Sequence, residues 1–182
     1  MDFEIIETDR LFLRKLTPAD FDTIFENYSK EEIKNILGLR TEEEFLIEKE
    51  KQEKGYTTYR ISIIYFQMID KETNQIIGGC GFHNWFALHA RSEMGYVLKL
   101  EEYKRKGLMT EALQAIIDYG FNTMKLNRIE ACISPNNAAS LQLILKFNFT
   151  QEGVLRKHFF HENEFGDSII FGLLREEHFR RK

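Results

Sequence analysis

A single glycine interrupts a run of basic residues near the middle of the chain. In the stretch YKRKGLMTEAL, residues 103–113, Gly107 directly follows the cations Lys104, Arg105 and Lys106. An apolar pattern at helical spacing begins immediately after the glycine. A helix N-terminus offers unpaired N–H donors and partial positive charge, and glycine lets a phosphate approach the backbone closely. The stretch could therefore bind a phosphate group, or it could be a charged surface that happens to contain a glycine.

Two better-known phosphate-binding patterns are missing from the sequence. It contains neither the G-x-x-x-x-G-K-[ST] of a P-loop nor the G-x-G-x-x-G of a dinucleotide-binding fold. Nucleotide hydrolysis and nicotinamide redox chemistry are therefore disfavoured. The formal net charge of −4 also argues against a nucleic-acid partner, because proteins that bind nucleic acid usually carry a basic face.

The glycine turn must be positioned by a strand before it and a helix after it, and the sequence predicts both. Apolar residues recur at helical spacing from Leu108 to Met124, which predicts an amphipathic helix of about five turns. The predicted strands lie at 3–16, with a break near Thr8–Asp9, and at 59–69, 75–84, 92–100, 128–134, 149–160 and 167–175. The other predicted helices lie at 17–28, 41–54 and 136–147. This order predicts an α/β domain with a mixed sheet and helices on both faces.

A single domain over residues 1–182 is expected, because the sequence has only two prolines and no polar linker. It lacks the ~20 consecutive apolar residues that span a membrane, and its N-terminus does not resemble a secretory signal. A cytoplasmic location without a membrane partner is therefore expected. Cys80 and Cys132 lie in apolar, strand-like contexts and are expected to be buried, reduced thiols. The scattered histidines predict no metal site.

Three segments read together resemble the GCN5-related N-acetyltransferases (GNAT), and most of all the RimJ/RimL branch, which includes ribosomal-protein acetyltransferases. The segments are ETDRLFLRKLTPAD (7–20), SEMGYVLKLEEYKRKGLMTEAL (92–113) and ACISPNNAASLQLILKFNF (131–149). The resemblance covers nearly the whole chain in the same order. It implies the GNAT fold, a mixed, mostly antiparallel central sheet of about seven strands with helices on both faces. It also implies acetyl-CoA as the acetyl donor.

The sequence departs from the family pattern in the acetyl-CoA signature, Q/R-x-x-G-x-G/A, which falls on residues 104–109. Lys104 replaces Gln or Arg, Met109 replaces the small residue, and Arg105 replaces a frequent glycine. Asn148 replaces the glycine of the later K-x-G-F motif. Because asparagine adopts positive φ more readily than most residues, that turn is expected to survive.

The resemblance further implies where acetyl-CoA binds. Pantetheine would lie in a V-shaped gap where the strand at 92–100 splays from the strand at 128–134, and backbone groups of residues 97–99 would pair with its amides. The pyrophosphate would rest on the N–H groups of residues 105–110, and Asn137 would hold the pantetheine end. The implied cofactor-binding residues are Val97, Leu98, Lys99, Lys104, Arg105, Lys106, Gly107, Leu108, Met109, Thr110 and Asn137.

Two residues are implied to take part in catalysis. Glu93 matches the glutamate before "IGY" in this branch and would be the base, directly or through water, unless it is a solvated strand carboxylate. An N–H near Val97 would supply the oxyanion donor. Ser140 would hydrogen-bond the leaving sulfur or relay a proton, because the tyrosine that many relatives place four residues later is Ile144 here. Alternatively, Ser140 only caps a helix.

The acceptor is expected to be an amine. His83, Asn84 and Trp85 could wall its pocket, although Trp85 could equally be a structural aromatic. The acidic run at 42–44 could line the acceptor cleft or be a solvated face. The resemblance favours a protein N-terminal α-amino group acetylated by direct transfer in a ternary complex. A small amine such as a polyamine, aminoglycoside or amino acid is the second reading, and a non-catalytic acyl-CoA-binding module is the third. The oligomeric state stays open, with a homodimer as one option.

Overall fold

The chain folds into eight strands and six α-helices in this computed structural model, which describes residues 2–56, 62–161 and 163–180. The strands are β1 (Ile5–Glu7), β2 (Leu11–Leu16), β3 (Ser62–Asp70), β4 (Ile76–Phe86), β5 (Arg91–Leu98), β6 (Arg128–Ile133), β7 (Thr150–His161) and β8 (Glu164–Leu174). The helices are α1 (Pro18–Asn27), α2 (Lys30–Leu37), α3 (Glu42–Lys54), α4 (Leu108–Asn122), α5 (Ala138–Lys146) and α6 (Arg175–Phe179). The described strands form one sheet in the order β1-β2-β3-β4-β5-β6-β8-β7.

The opening segment forms two strands where the sequence suggested one broken strand. β1 and β2 pair antiparallel, and Thr8 N–H donates to Leu11 O across the turn at 2.9 Å. The Thr8 hydroxyl also accepts from Leu11 N–H at 3.1 Å. Because a tight turn at the predicted break reverses the chain, the described sheet has eight strands instead of the expected seven or so.

Helix α2 was not predicted from the sequence, although the residues that begin and end it are close together in the chain. Ser29 donates its N–H and its hydroxyl to the Glu32 carboxylate at 2.8 and 2.6 Å, the exchange typical of a helix start. Gly38 ends the helix at a φ of 66°, where glycine is favoured. The short helix α6 was also missed, and the first residues of the strand predicted at 59–69 lie outside the described residues.

The two faces of the sheet are covered by different helices. Strand β3 shows this directly, because Ile64, Phe66 and Met68 join one buried cluster while Ile63 and Tyr65 pack against another. The first cluster contains the apolar face of α4, and the second contains residues of α1, α2 and α3. Since alternate residues of a strand point to opposite faces, α4 lies on one side and the three N-terminal helices lie on the other.

The sheet opens in its centre, between β5 and β6. Strand β5 pairs antiparallel with β4 from Arg91 to Leu98, but it pairs parallel with β6 only over Arg91–Glu93. Beyond Glu93 the two neighbours diverge. The expected V-shaped gap between these strands is therefore present, with Glu93 at its apex.

Candidate active site

Three adjoining cavities follow the gap from its apex to the N-terminus of α4. The first has a volume of 310 Å³ and contains His83, Glu93, Tyr96, Cys132, Asn137 and Ser140 in its lining. The second, of 760 Å³, shares Tyr96, Asn137 and Ser140 with it and extends past Leu98 to Lys104 and Arg105. The third, of 250 Å³, shares Arg105 with the second and is lined by Gly107, Leu108, Met109 and Thr110. Most of the predicted cofactor-binding residues thus border one continuous channel.

The glycine turn leads directly into α4 through a left-handed backbone conformation. Gly107 precedes α4 with a φ of 79°, and the helix begins at Leu108 as predicted. Arg105 also adopts a left-handed φ, 61°, so the turn keeps its shape where relatives have glycine, at a cost of roughly 1–2 kcal/mol. Asn148 has a φ of 59°, which confirms that the later turn survives its glycine replacement.

The three basic residues before the glycine have unequal positions. Lys104 lines the channel but forms an ion pair with Glu101. The Lys106 ammonium lies 5.6 Å from the centre of the Tyr103 ring, and Lys106 lines none of the three cavities. Arg105 borders two of the cavities and forms no ion pair within the described residues. Arg105 is therefore the best placed of the three to meet a diphosphate.

The turn between β1 and β2 holds the glycine turn in place through Glu111, in the first turn of α4. The Thr8 hydroxyl donates to Glu111 Oε1 at 2.6 Å, and Arg10 donates its N–H to Oε1 and its Nε to Oε2, each at 2.7 Å. Arg10 Nη1 also donates to Lys106 O at 2.9 Å. The two family segments that contain these residues are therefore joined as one structural clamp.

Replacing Glu111 by glutamine should destabilise the protein by about 1–2 kcal/mol at neutral pH, because its charged hydrogen bonds are lost. Burial raises the pKa of Glu111, but the bonds from Thr8 and Arg10 outweigh it, so the pKa lies below its ordinary value. This stabilisation is present above the pKa of the unfolded state and is lost as pH falls through the folded value. Urea unfolding should therefore show that the difference in the free energy of unfolding between the wild type and Glu111→Gln becomes smaller as the pH falls.

The matched control is Glu50→Gln, which removes an exposed carboxylate paired with Lys54 within α3. It should leave unfolding unchanged. An equal effect of Glu111→Gln and Glu50→Gln would contradict the clamp.

Backbone groups of β5 that face the gap are available to a ligand. Lys99 N–H donates to Ile77 O of the neighbouring chain segment at 2.9 Å. Because N–H directions alternate along an antiparallel strand, the N–H groups of Leu98 and Tyr96 point away from β4 and toward the gap. The N–H of Val97 points into the sheet with that of Lys99. Of the backbone N–H groups predicted to serve pantetheine and the oxyanion near Val97, that of Leu98 therefore faces the gap, with the Tyr96 N–H beside it, and those of Val97 and Lys99 face β4.

Asn137 begins helix α5 and positions Ser140. Its Oδ1 accepts from Ser140 N–H at 3.1 Å, and the helix starts at Ala138. The capping bond leaves the Asn137 Nδ2 donors for the channel, because they make no hydrogen bond within the described residues. Ser140 is half-buried and lines the two cavities that meet at the apex of the gap.

Glu93 is the centre of a small polar cluster. Asn84 Nδ2 donates to Glu93 Oε2 at 2.9 Å, and His83 Nε2 lies 3.4 Å from the same oxygen. Burial raises the pKa of Glu93, but His83, Asn84 and the Cys132 thiol together outweigh it and hold the pKa below its ordinary value. Glu93 is therefore an ionised carboxylate at neutral pH.

A β-bulge brings Asn84 to this cluster. The register between β4 and β5 shifts between His83 and Phe86, and Asn84 adopts a left-handed φ of 48°. Bulges turn a side chain out of the regular alternation. Asn84 and His83, which sequence reasoning assigned to the acceptor pocket, thus contact the predicted base.

Trp85 lies elsewhere. It is half-buried and packs against the main apolar cluster, and it lines none of the three cavities along the gap. Of its two readings from sequence, this position favours the structural one.

Cys132 differs from the expected buried thiol. Cys80 is buried, but Cys132 is half-buried and lines the cavity beside Glu93. Burial and the neighbouring Glu93 carboxylate raise the pKa of Cys132 to about 12. The thiol is therefore protonated at neutral pH and is a poor nucleophile.

Tyr96 is the site residue that sequence reasoning missed. Its hydroxyl oxygen is buried and makes no hydrogen bond of normal geometry within the described residues, although the Ser140 hydroxyl is its neighbour. Burial raises the pKa of Tyr96, and the interaction with Ser140 partly opposes this. The signal available in the sequence was its position in SEMGYVL, three residues after Glu93.

Two further cavities lie on the acceptor side of β5, and Tyr96 lines the smaller of them. One, of 250 Å³, is lined by Tyr65, Gly79, Gly81, His83, Tyr96 and Val97 among others. It adjoins one of 470 Å³ beneath α1 and α3, whose lining includes Phe21, Glu44, Glu48, Lys51, Tyr56, Tyr65 and Lys99. Of the acidic run, Glu44 faces this space while Glu42 pairs with Lys30 at 2.6 Å. Tyr96 and His83 therefore lie where a second compartment meets the channel.

Within residues 2–56, 62–161 and 163–180, no helix combines the length and apolar character needed to cross a bilayer. In the same residues, no group of three histidine, cysteine or carboxylate side chains is placed to hold a metal ion.

Known proteins match this chain over most of its length. Residues 10–150 match the acetyltransferase (GNAT) domain, and the chain belongs to this family. It is an N-acetyltransferase that uses acetyl-CoA as acetyl donor. The channel fits this donor, because it combines free strand edges, the N-terminus of α4, Arg105 and the buried Tyr96 hydroxyl.

Named relatives support the family and differ in their acceptors. The uncharacterized N-acetyltransferase YoaA of Bacillus subtilis (strain 168) is 32% identical over 181 residues, covering 95% of this chain and 98% of YoaA. The [ribosomal protein uS5]-alanine N-acetyltransferase of Escherichia coli (strain K12) is 32% identical over 114 residues, covering 62% of this chain and 58% of that protein. The spermidine/spermine N-acetyltransferase SpeG of Vibrio cholerae shares the fold, with a TM-score of 0.70 at 21% identity, covering 95% of this chain and 97% of SpeG.

Proposed function

We propose that this N-acetyltransferase acetylates the α-amino group of a protein or peptide N-terminus. The observation that carries the proposal is the charge of the acceptor-side compartment. Lys51 and Lys99 line its larger cavity together with Glu44 and Glu48, amid apolar and aromatic side chains. A peptide has one α-ammonium group and side chains of mixed character, and a cavity lined by both charges and by apolar groups is compatible with it.

The two carboxylates of this cavity are already engaged. Glu44 accepts from Arg40 N–H at 2.6 Å, and this bond, helped by Lys99, lowers its pKa against the effect of burial. Glu48 accepts from the Tyr56 hydroxyl at 2.7 Å and from Lys51 at 3.1 Å. A polyamine would need free carboxylates for each of its charges, whereas Lys51 neutralises Glu48 and the charge of Lys99 acts on Glu44.

The ammonium group of the acceptor would be received by Glu93. The smaller acceptor-side cavity shares His83 and Tyr96 with the cavity that contains Glu93. The ionised carboxylate attracts the ammonium and takes a proton from it, directly or through water, while His83 and Asn84 hold its position. An amine deprotonated there lies at the apex of the gap.

When bound, acetyl-CoA supplies an acetyl group activated as a thioester. Arg105 and the N–H groups at the start of α4 would bind its diphosphate, and the Leu98 backbone would pair with the pantetheine. The Tyr96 or Leu98 N–H would polarise the carbonyl. The protonated thiol of Cys132 favours direct transfer in a ternary complex over a covalent enzyme intermediate.

Two of the relatives act on different acceptors and therefore support different proposals. The enzyme named for ribosomal protein uS5 acts on a protein alanine and supports a protein acceptor. The fold shared with SpeG keeps a small polyamine as the second candidate, and Glu44 and Glu48 are the observation that favours it. We prefer a peptide acceptor because the positive charges of Lys51 and Lys99 reduce the attraction of this cavity for a polycation.

A screen of acetyl-CoA consumption tests the proposal. Peptides with free N-termini are compared with N-terminally blocked twins that contain lysine, and with spermidine, an aminoglycoside and free amino acids. We expect kcat/KM for the best free peptide to exceed that for spermidine by at least about tenfold, equivalent to one like-charge contact. The variant Lys51→Glu should lower the ratio of kcat/KM for the peptide to kcat/KM for spermidine. Faster turnover of spermidine, or equal turnover of blocked peptides, would contradict the proposal.

A further inference from the structure

The backbone N–H groups of the glycine turn and of the first residues of α4 are free to bind a ligand. Within the described residues, the N–H groups of residues 105–110 donate to no backbone acceptor. They can meet a diphosphate only if each peptide plane is rotated correctly. A trans peptide bond points its C=O and its N–H in opposite directions, and the described residues contain no cis peptide bond. The direction of one carbonyl therefore sets the direction of the next residue's N–H.

The carbonyl of Lys106 is held from outside the channel by Arg10, which belongs to the turn between β1 and β2. Arg10 Nη1 donates to Lys106 O at 2.9 Å, and Arg10 Nε donates to Glu111 Oε2 at 2.7 Å. Arg10 and Lys106 line none of the five cavities described above, whereas Gly107 lines the cavity at the N-terminus of α4. Because the Lys106 carbonyl points to Arg10 and away from this cavity, the Gly107 N–H points toward it.

The peptide plane between Lys106 and Gly107 needs such a contact, because glycine adopts φ of either sign at little cost. Rotation of this plane by half a turn would point the Lys106 carbonyl oxygen at a diphosphate and turn the Gly107 N–H away. The guanidinium lies against the same peptide, since a Cβ at Gly107 would be 3.5 Å from Arg10 Nη2. The bond from Arg10 to the carbonyl therefore opposes the rotation.

We propose that Arg10 is a positioning residue for the donor, which keeps the Gly107 N–H directed at the diphosphate of acetyl-CoA by bonding the Lys106 carbonyl. Arg10 does not touch the donor, so it acts through the turn. Its role rests on the donor channel of the proposed function and not on which amine is acetylated. The first two strands thereby contribute to donor recognition as well as to stability.

Binding of fragments of the donor tests this role without an acceptor. ADP has the diphosphate without the pantetheine arm, and pantetheine has the arm without the diphosphate. In Arg10→Gln the Kd values for acetyl-CoA and for ADP should each rise about tenfold, as expected if the binding-competent turn falls from nearly all molecules to about a tenth. The Kd for pantetheine should change by less than about twofold. Calorimetry measures acetyl-CoA binding, and amide chemical-shift titration measures the two weaker fragments.

The amide resonance of Gly107 gives a readout that a loss of stability alone would not move. In the free protein, this resonance should differ between the wild type and Arg10→Gln, because the peptide samples a second orientation in the variant. Saturation with acetyl-CoA selects the competent orientation and should bring the resonance back toward its position in the wild-type complex.

Arg10→Lys and Lys71→Gln are the matched control variants. Lysine keeps the charge and can pair with Glu111, but it lacks the planar fork that also bonds Lys106 O. Arg10→Lys should therefore keep most of the loss of acetyl-CoA affinity. Lys71 lies beside the same turn, where its N–H donates to Arg10 O at 3.0 Å and its ammonium pairs with Glu7 at 2.5 Å. Lys71→Gln removes one nearby positive charge and should bind acetyl-CoA within about twofold of the wild type.

Unchanged acetyl-CoA affinity in Arg10→Gln would overturn the role of Arg10 while the channel stands. An equal loss for pantetheine would indicate general loosening of the site, and full affinity in Arg10→Lys would indicate that charge alone matters, so either result also overturns it. If Arg10→Gln does not fold, the comparison of acetyl-CoA with pantetheine in Arg10→Lys decides. If the wild type does not bind acetyl-CoA, the channel and the role of Arg10 both fall. A failure of the peptide acceptor in the turnover screen leaves both standing.

Discussion

Replacing Gly107 by glutamate is expected to abolish measurable acetyl-CoA binding. The new side chain would start from a backbone φ of 79°, which costs a non-glycine residue roughly 1–2 kcal/mol. Its carboxylate would also face the diphosphate at the N-terminus of α4, and like charges in contact cost several kcal/mol. Calorimetric titration should show affinity reduced by at least about 100-fold.

Two control variants distinguish the effect of the added negative charge on acetyl-CoA binding from the effect of backbone strain at residue 107. Gly107→Gln has the same size and the same backbone cost, and it should bind acetyl-CoA more weakly than the wild type but still measurably. Steric exclusion is not the cause, because a Cβ at this position would lie 3.5 Å from Arg10 Nη2, an ordinary contact. Gly153→Glu adds the same charge on β7, where a Cβ would meet nothing within 4 Å, and should bind normally. Normal acetyl-CoA binding by Gly107→Glu would indicate that residues 104–107 are only a charged surface and do not bind the diphosphate.

Replacing Glu93 by glutamine is expected to lower kcat/KM by about 10²–10⁴-fold, the usual range for loss of a general base. The affinity for acetyl-CoA should stay within about threefold, because Glu93 faces the acceptor amine and not the diphosphate. Glutamine keeps the shape of the side chain and can still contact Asn84. Steady-state kinetics with the acceptor from the screen, together with calorimetry, measures both quantities.

The pH dependence adds a second readout for Glu93. Its pKa lies below the ordinary value because His83, Asn84 and Cys132 outweigh the effect of burial. The carboxylate is therefore charged throughout the neutral range, and its own protonation should reduce activity only in acid. Rising activity above neutral pH would then reflect deprotonation of the acceptor ammonium. The same rise should persist in Glu93→Gln at a lower level.

Glu130→Gln is the matched control for this variant. Glu130 lies opposite Glu93 in the register of β5 and β6, but its carboxylate binds Arg91 and Arg128 at 2.9 and 2.8 Å. It lines none of the five cavities. We expect lower stability and a kcat/KM within about twofold of the wild type. A larger kinetic defect in Glu130→Gln than in Glu93→Gln would contradict the assigned base.

The glycine turn could be predicted from sequence because its determinants are local. A glycine before an apolar helical pattern indicates a positive φ and a helix start, and Gly107 and Leu108 have both. The caps of α1 and α3 by Thr17 and Thr41 follow the same logic, since a capping side chain bonds a backbone group three residues away. Helix α2 carried equally local signals in Ser29 and Gly38, so it could have been predicted and was missed.

The cluster around Glu93 could not be predicted in detail. The family pattern pointed to Glu93, but its partners depend on a bulge in β4 and on the pairing of β5 with β6. The bulge aims Asn84 at the carboxylate, and the neighbouring strand brings Cys132 there from 39 positions along the chain. A shift of one residue in either register would point these side chains to the other face.

The positions of the three cations before Gly107 also depend on contacts that the sequence does not show. Sequence alone determined that a flexible turn with three cations precedes a long amphipathic helix, because backbone preference and apolar periodicity reside in neighbouring residues. Only the tertiary structure decided that Lys104 pairs with Glu101, that Lys106 lies over Tyr103, and that Arg105 faces the channel. It also decided that the Tyr96 hydroxyl is buried beside Ser140, where the channel meets the acceptor-side cavity. Such placements depend on contacts between distant segments, and the order of residues along the chain does not encode them locally.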